Sequence, residues 1–320
     1  MSGFTTNTIS NLTRSLVYTS QLKEVLEDEL YGQRYVRWMT DFPDGDTWNQ
    51  PSIGQAEVLD YAEDQPIKFT AMDTGNFTFT IGEYVQSGTY VTNKFRQDSY
   101  VADQAVAMFV PSQHRAIMKD LETKIFAVGP DNQTASNTNT INGAYHRFVG
   151  SGASETMSLQ DFMYARYALH QANVPLTNLV AIVDPSVEVA LSLQTNVVNL
   201  MNPQPQWQSV VKDGLSSNGM QFRFNIYGWD VYTSMNLKQN TSSETIDSKT
   251  AAAGVNNLFF SATPDITPFL GAVRQPAKVE TQYNMNYQRE EYVTTMRYGL
   301  GLRRPENLVV ILTDTDQVYA

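Results

Sequence analysis

The chain carries few side chains of the kinds that do chemistry, and their spacing assembles no recognisable site. Its three histidines, His114, His146 and His170, stand at no metal-binding spacing and beside no carboxylate motif. There is no cysteine, so disulfides, thiolate catalysis and cysteine–zinc sites are excluded. We interpret each histidine as a surface or packing residue. The sequence predicts no catalytic residue, no metal site and no cofactor.

Two groups of carboxylates deserve the same test. Asp41, Asp44 and Asp46 have the wrong spacing for a calcium loop, and no glutamate closes it. Solvated turn carboxylates are the favoured interpretation. Glu290 and Glu291 are neighbours in a predicted strand, where neighbouring side chains point to opposite faces, so they make a poor acid–base pair. We predict instead that each pairs with a basic residue on a neighbouring strand or subunit.

Glycine-rich motifs also fail to indicate an enzyme. Gly299 and Gly301 lack the third glycine and the following helix of a dinucleotide-binding fingerprint. The Gly150-Ser151-Gly152 stretch is a flexible turn and not a nucleophile elbow. Together with the missing cysteine and histidine chemistry, these motifs predict a protein without enzymatic activity.

Composition bounds the remaining functions. Of 320 residues, 42% are hydrophobic and 17% are charged, a balance that can bury a core. The net charge of −11, from 22 basic and 33 acidic residues, leaves no basic stripe for gripping duplex DNA tightly. The longest apolar run, residues 105–110, is too short to span a bilayer. No secretory signal is visible at the start, so we expect no membrane association.

The element expected to organise the chain is a ribbon over residues 278–312. Residues 279–287 alternate apolar and polar, which predicts a half-buried strand. The alternation changes phase after Arg289, which indicates a bulge or a bend. Pro305 ends this strand, and residues 308–312 predict a buried final strand.

The earlier segments alternate between helical and strand patterns. Residues 21–39 predict a helix, and residues 52–92 predict two or three long strands forming a hairpin. Residues 97–128 predict a helix that Pro111 splits and Gly129-Pro130 stops. Its apolar stripe consists of Ile117, Leu121, Ile125 and Val128. Further predictions are a helix over 158–173, capped by Ser158 with a carboxylate at Asp161, and helices over 186–196, capped by Asp184-Pro185, and over 267–273. Strands are predicted over 179–183, where the strand is buried, over 257–261, and on either side of a tight turn or bulge at Gly228.

Four stretches, taken in order, resemble a known family. They are Gly45-Asp46-Thr47 with Pro51 and Gly54, the Leu-Val-Ala-Ile-Val-Asp-Pro of 179–185, the Gly-Trp-Asp-Val-Tyr-Thr-Ser-Met-Asn-Leu of 228–237, and the Tyr-Gly-Leu-Gly-Leu-Arg-Arg-Pro-Glu of 298–306. Their order and spacing resemble those of the major capsid protein of tailed bacteriophages, the Hong Kong 97-type fold that encapsulin shells share.

The resemblance implies an α+β fold whose parts serve different roles. It implies an N-terminal arm (1–40), an extended β-hairpin loop with its entry (41–92), a peripheral domain with a long spine helix (93–165), an axial domain (166–276), and return strands of the peripheral domain (277–320). The arm and hairpin have no core of their own, so they are expected to bury against neighbouring subunits.

The implied function is a shell protein that assembles into pentamers and hexamers of the icosahedral head of a tailed double-stranded DNA phage. The expected partners are further copies of the chain, a separate scaffolding protein, a portal and, as a further candidate, a cement protein. Assembly is expected in the host cytoplasm, and the shell is expected to enclose DNA without binding it tightly. The candidate subunit-contact residues are Phe77, Phe79, Ile81, Trp207, Glu290 and Glu291.

Three alternatives remain open at this point. An encapsulin would use the same fold as a cellular compartment. An α and β enzyme with an unrecognised site would form a small oligomer with turnover. A tail or decoration protein would be more uniformly β than a chain with two substantial helices.

Overall fold

The computed structural model describes residues 30–39, 47–54, 58–60, 63–67, 69, 74–98, 102–193, 224–251 and 254–314. The helices of this part are α1 Asn93–Asp98, α2 Ala102–Asn132, α3 Leu159–Gln171 and α4 Pro185–Leu193. The strands are β1 Val36–Met39, β2 Thr47–Ile53, β3 Thr74–Thr80, β4 Glu83–Thr92, β5 Thr140–Ile141, β6 Ala144–Tyr145, β7 Arg147–Val149, β8 Leu179–Val183, β9 Phe224–Ile226, β10 Trp229–Thr233, β11 Glu244–Ile246, β12 Lys249–Ala251, β13 Gly254–Ser261, β14 Phe269–Asn284, β15 Arg289–Leu302 and β16 Val309–Asp314.

Two larger sheets carry the fold, which is α+β as predicted. One has the strand order β1-β14-β15-β4, and the other has the order β7-β16-β13-β8-β10-β9. The long helix α2 packs between them, with its buried residues in one cluster with β13, β15 and β16. Helices α3 and α4 cover the opposite face of the six-stranded sheet, where Phe162 and Trp229 stack edge-on against Phe259.

The predicted ribbon is a hairpin and not one bent strand. Strand β14 ends at Asn284, and β15 begins at Arg289, with these two residues paired across the ladder. Gln288 in the turn adopts a φ of 47°. The change of phase was therefore wrongly interpreted as a bulge or bend, because a reversed strand restarts its own alternation. The register shifts of this pair lie instead between Val273 and Lys278.

The final strand is confirmed. All six residues of β16 are buried, because the strand lies inside the six-stranded sheet between β13 and β7. Strand β8 is buried along its whole length, also as predicted. The six-stranded sheet thus joins β8, from the segment expected to form the axial domain, to β16, from the segment expected to return to the peripheral domain.

The long helix has the predicted stripe but different ends. Ile117, Leu121, Ile125 and Val128 are buried, with at most 8% of their surface exposed. The helix continues through both predicted breakers and ends at Asn132. Pro111 lies on the exposed side of the helix. A Cβ atom on the glycine at 129 would approach Leu308 Cδ2 to 2.5 Å. That glycine therefore allows the helix to touch the chain before β16, and it does not end the helix.

Two helix predictions are wrong where the structure describes them. Residues 32–35 form a 3₁₀ turn and 36–39 form β1, which pairs in parallel with β14; the earlier part of the predicted helix lies outside the described residues. Residues 269–273 begin β14, although a helix was predicted there. This short apolar run is buried on both faces, with Phe269 toward α2 and Leu270 toward the hairpin β2–β3. Periodicity cannot distinguish such a strand from a buried helix.

The smaller turns follow the predicted chemistry. Tyr227 and Gly228, at φ of 50° and 86°, form the two-residue turn between β9 and β10. Ser158 and Asp161 form a complete capping box at the start of α3. The Ser186 N–H donates to Asp184 Oδ2 at 2.9 Å at the start of α4.

Asn307 holds the loop between β15 and β16 to the central sheet. Its Nδ2 donates to the carbonyls of Ser261 and Ile266 at 2.9 and 2.6 Å, and its Oδ1 accepts from Ser261 N at 2.9 Å. We expect Asn307→Ala to lower the free energy of unfolding by about 3 kcal/mol, because each buried group left unpaired costs roughly 1–3 kcal/mol. Denaturant unfolding of the unassembled subunit measures this, with the exposed Asn286→Ala as control. A loss no larger than the control's would contradict it.

Candidate functional site

The chemistry-bearing residues do not converge. His146 is fully buried, whereas His114 and His170 are exposed. Within the part of the chain that the structure describes, no three histidine, aspartate or glutamate side chains lie close enough to hold a metal ion. Asp41, Asp44 and Asp46 lie outside the described residues.

His146 fixes the contact between β6–β7 and the chain before β16. Its Nδ1 lies 3.0 Å from the carbonyl oxygen of Leu308, which can only accept, so Nδ1 carries the proton. Burial lowers the pKa of His146, although the carbonyls of Leu308 and Ala168 and the charge of Glu306 favour the protonated ring. The neutral imidazole is therefore the form that the folded chain prefers.

This preference predicts a pH-dependent stability. Because the pKa of His146 is lower in the folded state than its unfolded value near 6.5, the unfolded chain binds the proton first as pH falls. The contribution of neutral His146 to the free energy of unfolding is complete above about pH 7 and is lost progressively below about pH 6.5. The free energy of unfolding then falls by at most about 1.4 kcal/mol per pH unit. Unfolding curves of wild type and His146→Gln between pH 7.5 and 5 measure it. Parallel pH profiles would contradict the assignment.

Asp161 is the buried carboxylate beside a cavity of about 370 Å³ between α3, β7 and the β11–β12 hairpin. It accepts hydrogen bonds from the backbone N–H of Ser158 at 2.8 Å and of Ser151 at 3.0 Å. Burial raises its pKa against these hydrogen bonds. Its acceptors are used in capping α3 and anchoring the 150–152 turn, so we interpret it as a structural residue.

The sequence predicted basic partners for Glu290 and Glu291 on a neighbouring strand or subunit. In the structure each glutamate pairs with an arginine of its own chain, one on helix α1 and one on the same strand. Glu290 Oε1 lies 2.6 Å from Arg96 Nη1 on α1, and Glu290 Oε2 accepts from the Tyr292 hydroxyl at 2.7 Å. Hydrogen bonds from Tyr292 and Arg96 lower the pKa of Glu290. Glu291 pairs with Arg289, on the same strand, at 2.6 Å. Their role as subunit contacts stays a prediction.

The hairpin β2–β3 is the first outlying feature. Phe79 and Ile81, at its base, are each 2% exposed and pack with Leu270 and Ala272 of β14. The base therefore has a core within its own chain, which the sequence had not indicated. Strand β4 leaves the hairpin and pairs with β15. The subunit-contact role of Phe79 and Ile81 stays a prediction that their burial disfavours, and Phe77 is half-buried beside them.

The far end of the hairpin is apolar and exposed. Val58 and Phe69 are 94% and 92% exposed, and Ile67 is 71% exposed. Such side chains gain free energy only when another surface covers them, about 1.5–3 kcal/mol each when fully buried. Nothing in the described part of the chain covers them.

The two glycines of the Gly-Leu-Gly motif let the hairpin cross β15. A Cβ on Gly299 would lie 2.8 Å from the Thr80 carbonyl oxygen, and one on Gly301 would lie 2.9 Å from the Phe79 ring. Both glycines are therefore sites of close backbone approach. The motif that fails as a dinucleotide fingerprint fixes the position of the hairpin.

The end of the β14–β15 ribbon is the second outlying feature. Tyr283, Met285 and Tyr287 are 47%, 79% and 67% exposed, on the alternating positions that had predicted a half-buried face. The Arg289 guanidinium stacks over the rings of Tyr90 and Tyr287, 4.4 and 4.7 Å from their centroids. The face that was predicted to be half-buried is therefore exposed in the described chain, and Met285 and Tyr287 lie in the turn between β14 and β15. The remaining candidate, Trp207, lies outside the described residues.

None of the helices within the described residues has the length and apolarity needed to cross a membrane.

No protein-family model matches the chain, and no curated protein matches it. Solved structures do match over nearly the whole length. The capsid of cyanophage Pam1 aligns with a TM-score of 0.67 at 12% identity, covering 98% of this chain and 99% of that chain.

Two further phage structures give the same result. The capsid of cyanophage P-SCSP1u aligns with a TM-score of 0.65 at 14% identity, covering 95% of this chain and 93% of that chain. The structure from mycobacterium phage Che8 aligns with a TM-score of 0.64 at 17% identity, covering 94% and 97%. The chain therefore has the fold of tailed-phage major capsid proteins, as the four sequence stretches had predicted.

Proposed function

We propose that this chain is a major capsid protein that assembles through pentamers and hexamers into the icosahedral head of a tailed double-stranded DNA phage. The observation that carries the proposal is the placement of exposed apolar side chains. The four most exposed large hydrophobic side chains of the described residues, Val58, Phe69, Met285 and Ile67, lie at the hairpin tip and at the ribbon end. Their location on a capsid fold of matching length supports assembly as the function.

The geometry suits head-to-tail contact. The hairpin tip and the ribbon end are different surfaces of one chain, so a contact between them uses an interface that is not self-complementary. Such interfaces form rings where the rotation closes. Interfaces that subunits cannot do without bury about 2,000–5,000 Å², which long projecting elements can provide.

The remaining expectations follow from the same proposal. The net charge of −11 favours a shell that encloses DNA without binding it tightly. A separate scaffolding protein and a portal would be partners during assembly in the host cytoplasm, with a cement protein as a further candidate, and the product would be a virion component. The encapsulin alternative is not favoured, because the three similar solved structures come from phages.

Sedimentation of the expressed chain tests the proposal. The chain, alone and together with the products of its neighbouring genes, is expected to give fast-sedimenting species besides free pentamers, hexamers or monomers. A single small species under both conditions would count against a shell protein.

A further inference from the structure

Three arginines gather beside the base of the hairpin. Arg37 of β1 lies in register with Leu270 of β14, which lies in register with Gly301 of β15. Arg303 and Arg304 follow immediately after β15. Val36, next to Arg37, is buried in the cluster around α2, so Arg37 points to the other face of the sheet, where the hairpin packs.

The charge of this arginine cluster (Arg37, Arg303 and Arg304) is only partly compensated inside the chain. Arg37 Nη1 lies 3.7 Å from Asp265 Oδ1, and Arg304 Nη1 lies 3.3 Å from Glu306 Oε1. Both pairs are long and solvent-exposed, and exposed pairs are weak. Among the described residues, Arg303 forms no ion pair, and Arg303 Nη1 and Arg304 Nε donate no hydrogen bond. Burial and the nearby Arg37 and Arg304 lower the pKa of Arg303.

The hairpin tip carries the opposite charge. Asp60, Glu63 and Asp64 are exposed there, next to the apolar Val58 and Ile67. No ion pair joins these carboxylates to any residue in the described ranges. The tip is thus an acidic surface without an ion pair among the described residues, and the arginine cluster is a basic surface that Asp265 and Glu306 compensate only in part.

We propose that the acidic hairpin tip of one copy of this chain binds the arginine cluster of the next copy. This inference rests on the proposed function, because it supposes that copies meet in a shell. Guanidinium groups bind carboxylates through paired, charge-assisted hydrogen bonds, which fix orientation as well as attract. Every copy supplies both halves, so the contact is head-to-tail and can set the register of a ring.

A charge swap tests the contact. The tip variant is Asp60→Arg/Glu63→Arg, which leaves Asp64 unchanged because its φ of 64° suits aspartate. The cluster variant is Arg37→Glu/Arg303→Glu. Each variant alone is expected to reduce the yield of shells at least tenfold at physiological salt, because it places like charges in contact. The chain that carries all four substitutions is expected to recover most of the yield.

The matched control is Lys94→Glu/Lys249→Glu, which changes the charge by the same amount as the cluster variant at two exposed sites elsewhere. Thermal unfolding of each subunit separates loss of folding from loss of contact, and the tip variant alters only exposed side chains. Normal yields for the tip variant, or a four-substitution chain that folds but recovers nothing, would overturn the inference. A cluster variant that assembles normally but retains less DNA would assign the arginines to phosphate and would also overturn it. If wild type forms no shells, the proposed function itself fails.

Discussion

Replacing Ile67 and Phe69 together by aspartate is expected to abolish shell formation while leaving the subunit as stable as wild type. The two side chains are 71% and 92% exposed in the single chain, so the folded subunit loses almost no burial. If a neighbour covers them, the change removes about 3–6 kcal/mol of apolar burial at every contact and adds two charges to be desolvated. Because the contact repeats throughout a shell, a loss of this size suppresses assembly completely.

Electron microscopy of the variant measures the yield of shells, and thermal unfolding of its subunit measures the melting temperature. Met235→Asp is the control, since Met235 is 69% exposed but lies outside the hairpin and the ribbon. Shells at wild-type yield from the double variant would show that the tip is not an assembly contact. A large drop in melting temperature would show instead that the tip supports its own chain.

Glu244→Ala is expected to cost about 3–5 kcal/mol of folding free energy, because it leaves a buried guanidinium without its counter-charge. Both carboxylate oxygens of Glu244 lie 2.8 Å from Arg147 Nη2, and the side chains of Arg147 and Glu244 are 3% and 10% exposed. Glu244 also accepts from Ser136 N at 2.7 Å and from Asn240 Nδ2 at 2.6 Å. The pair holds the β11–β12 hairpin against β7 of the central sheet.

The matched control is the double variant Arg147→Met/Glu244→Leu. Replacing both members of a buried pair by apolar residues of similar size is often neutral or stabilising, so most of the loss should be recovered. Denaturant unfolding measures both chains. A single variant within about 1 kcal/mol of wild type would mean that water reaches the guanidinium and that the site is not dry.

The sequence predicted those parts of the fold in which local chemistry and burial agree. The stripe of α2, the capping box at Ser158, the turn at Gly228 and the buried strands β8 and β16 were all confirmed. In each case the residue types at these positions favour one local structure and one degree of burial. Alternation likewise identified the ribbon, although it could not separate a bend from a hairpin turn.

The errors arose where tertiary contacts decide. The apolar start of β14 is buried on both faces, which removes the alternation that would have identified a strand. The glycine at 129 was interpreted as a helix stop, but a close contact with Leu308 requires it. No local signal showed that Phe79 would meet β14, because that contact joins residues about 190 positions apart. The arginine cluster was also missed, since Arg37 is distant in sequence from Arg303 and Arg304.

The sequence predicted that the hairpin needs another surface to cover it, but it did not predict which part of the hairpin is exposed. Exposed apolar side chains were expected on the hairpin, and they are found at its tip and on the ribbon end, whereas the base is buried. A sequence pattern shows which side chains need burial but not which copy of the chain provides it. This is why the exposed face of Tyr283, Met285 and Tyr287 could be mistaken for half of an ordinary core.

Negative-stain electron microscopy of the chain, expressed with the products of its neighbouring genes, tests the central claim most directly. The proposed function predicts closed, hollow, icosahedral shells whose surfaces resolve into pentamers and hexamers. Discrete particles of fixed low mass, with no shells under any of these conditions, would contradict it.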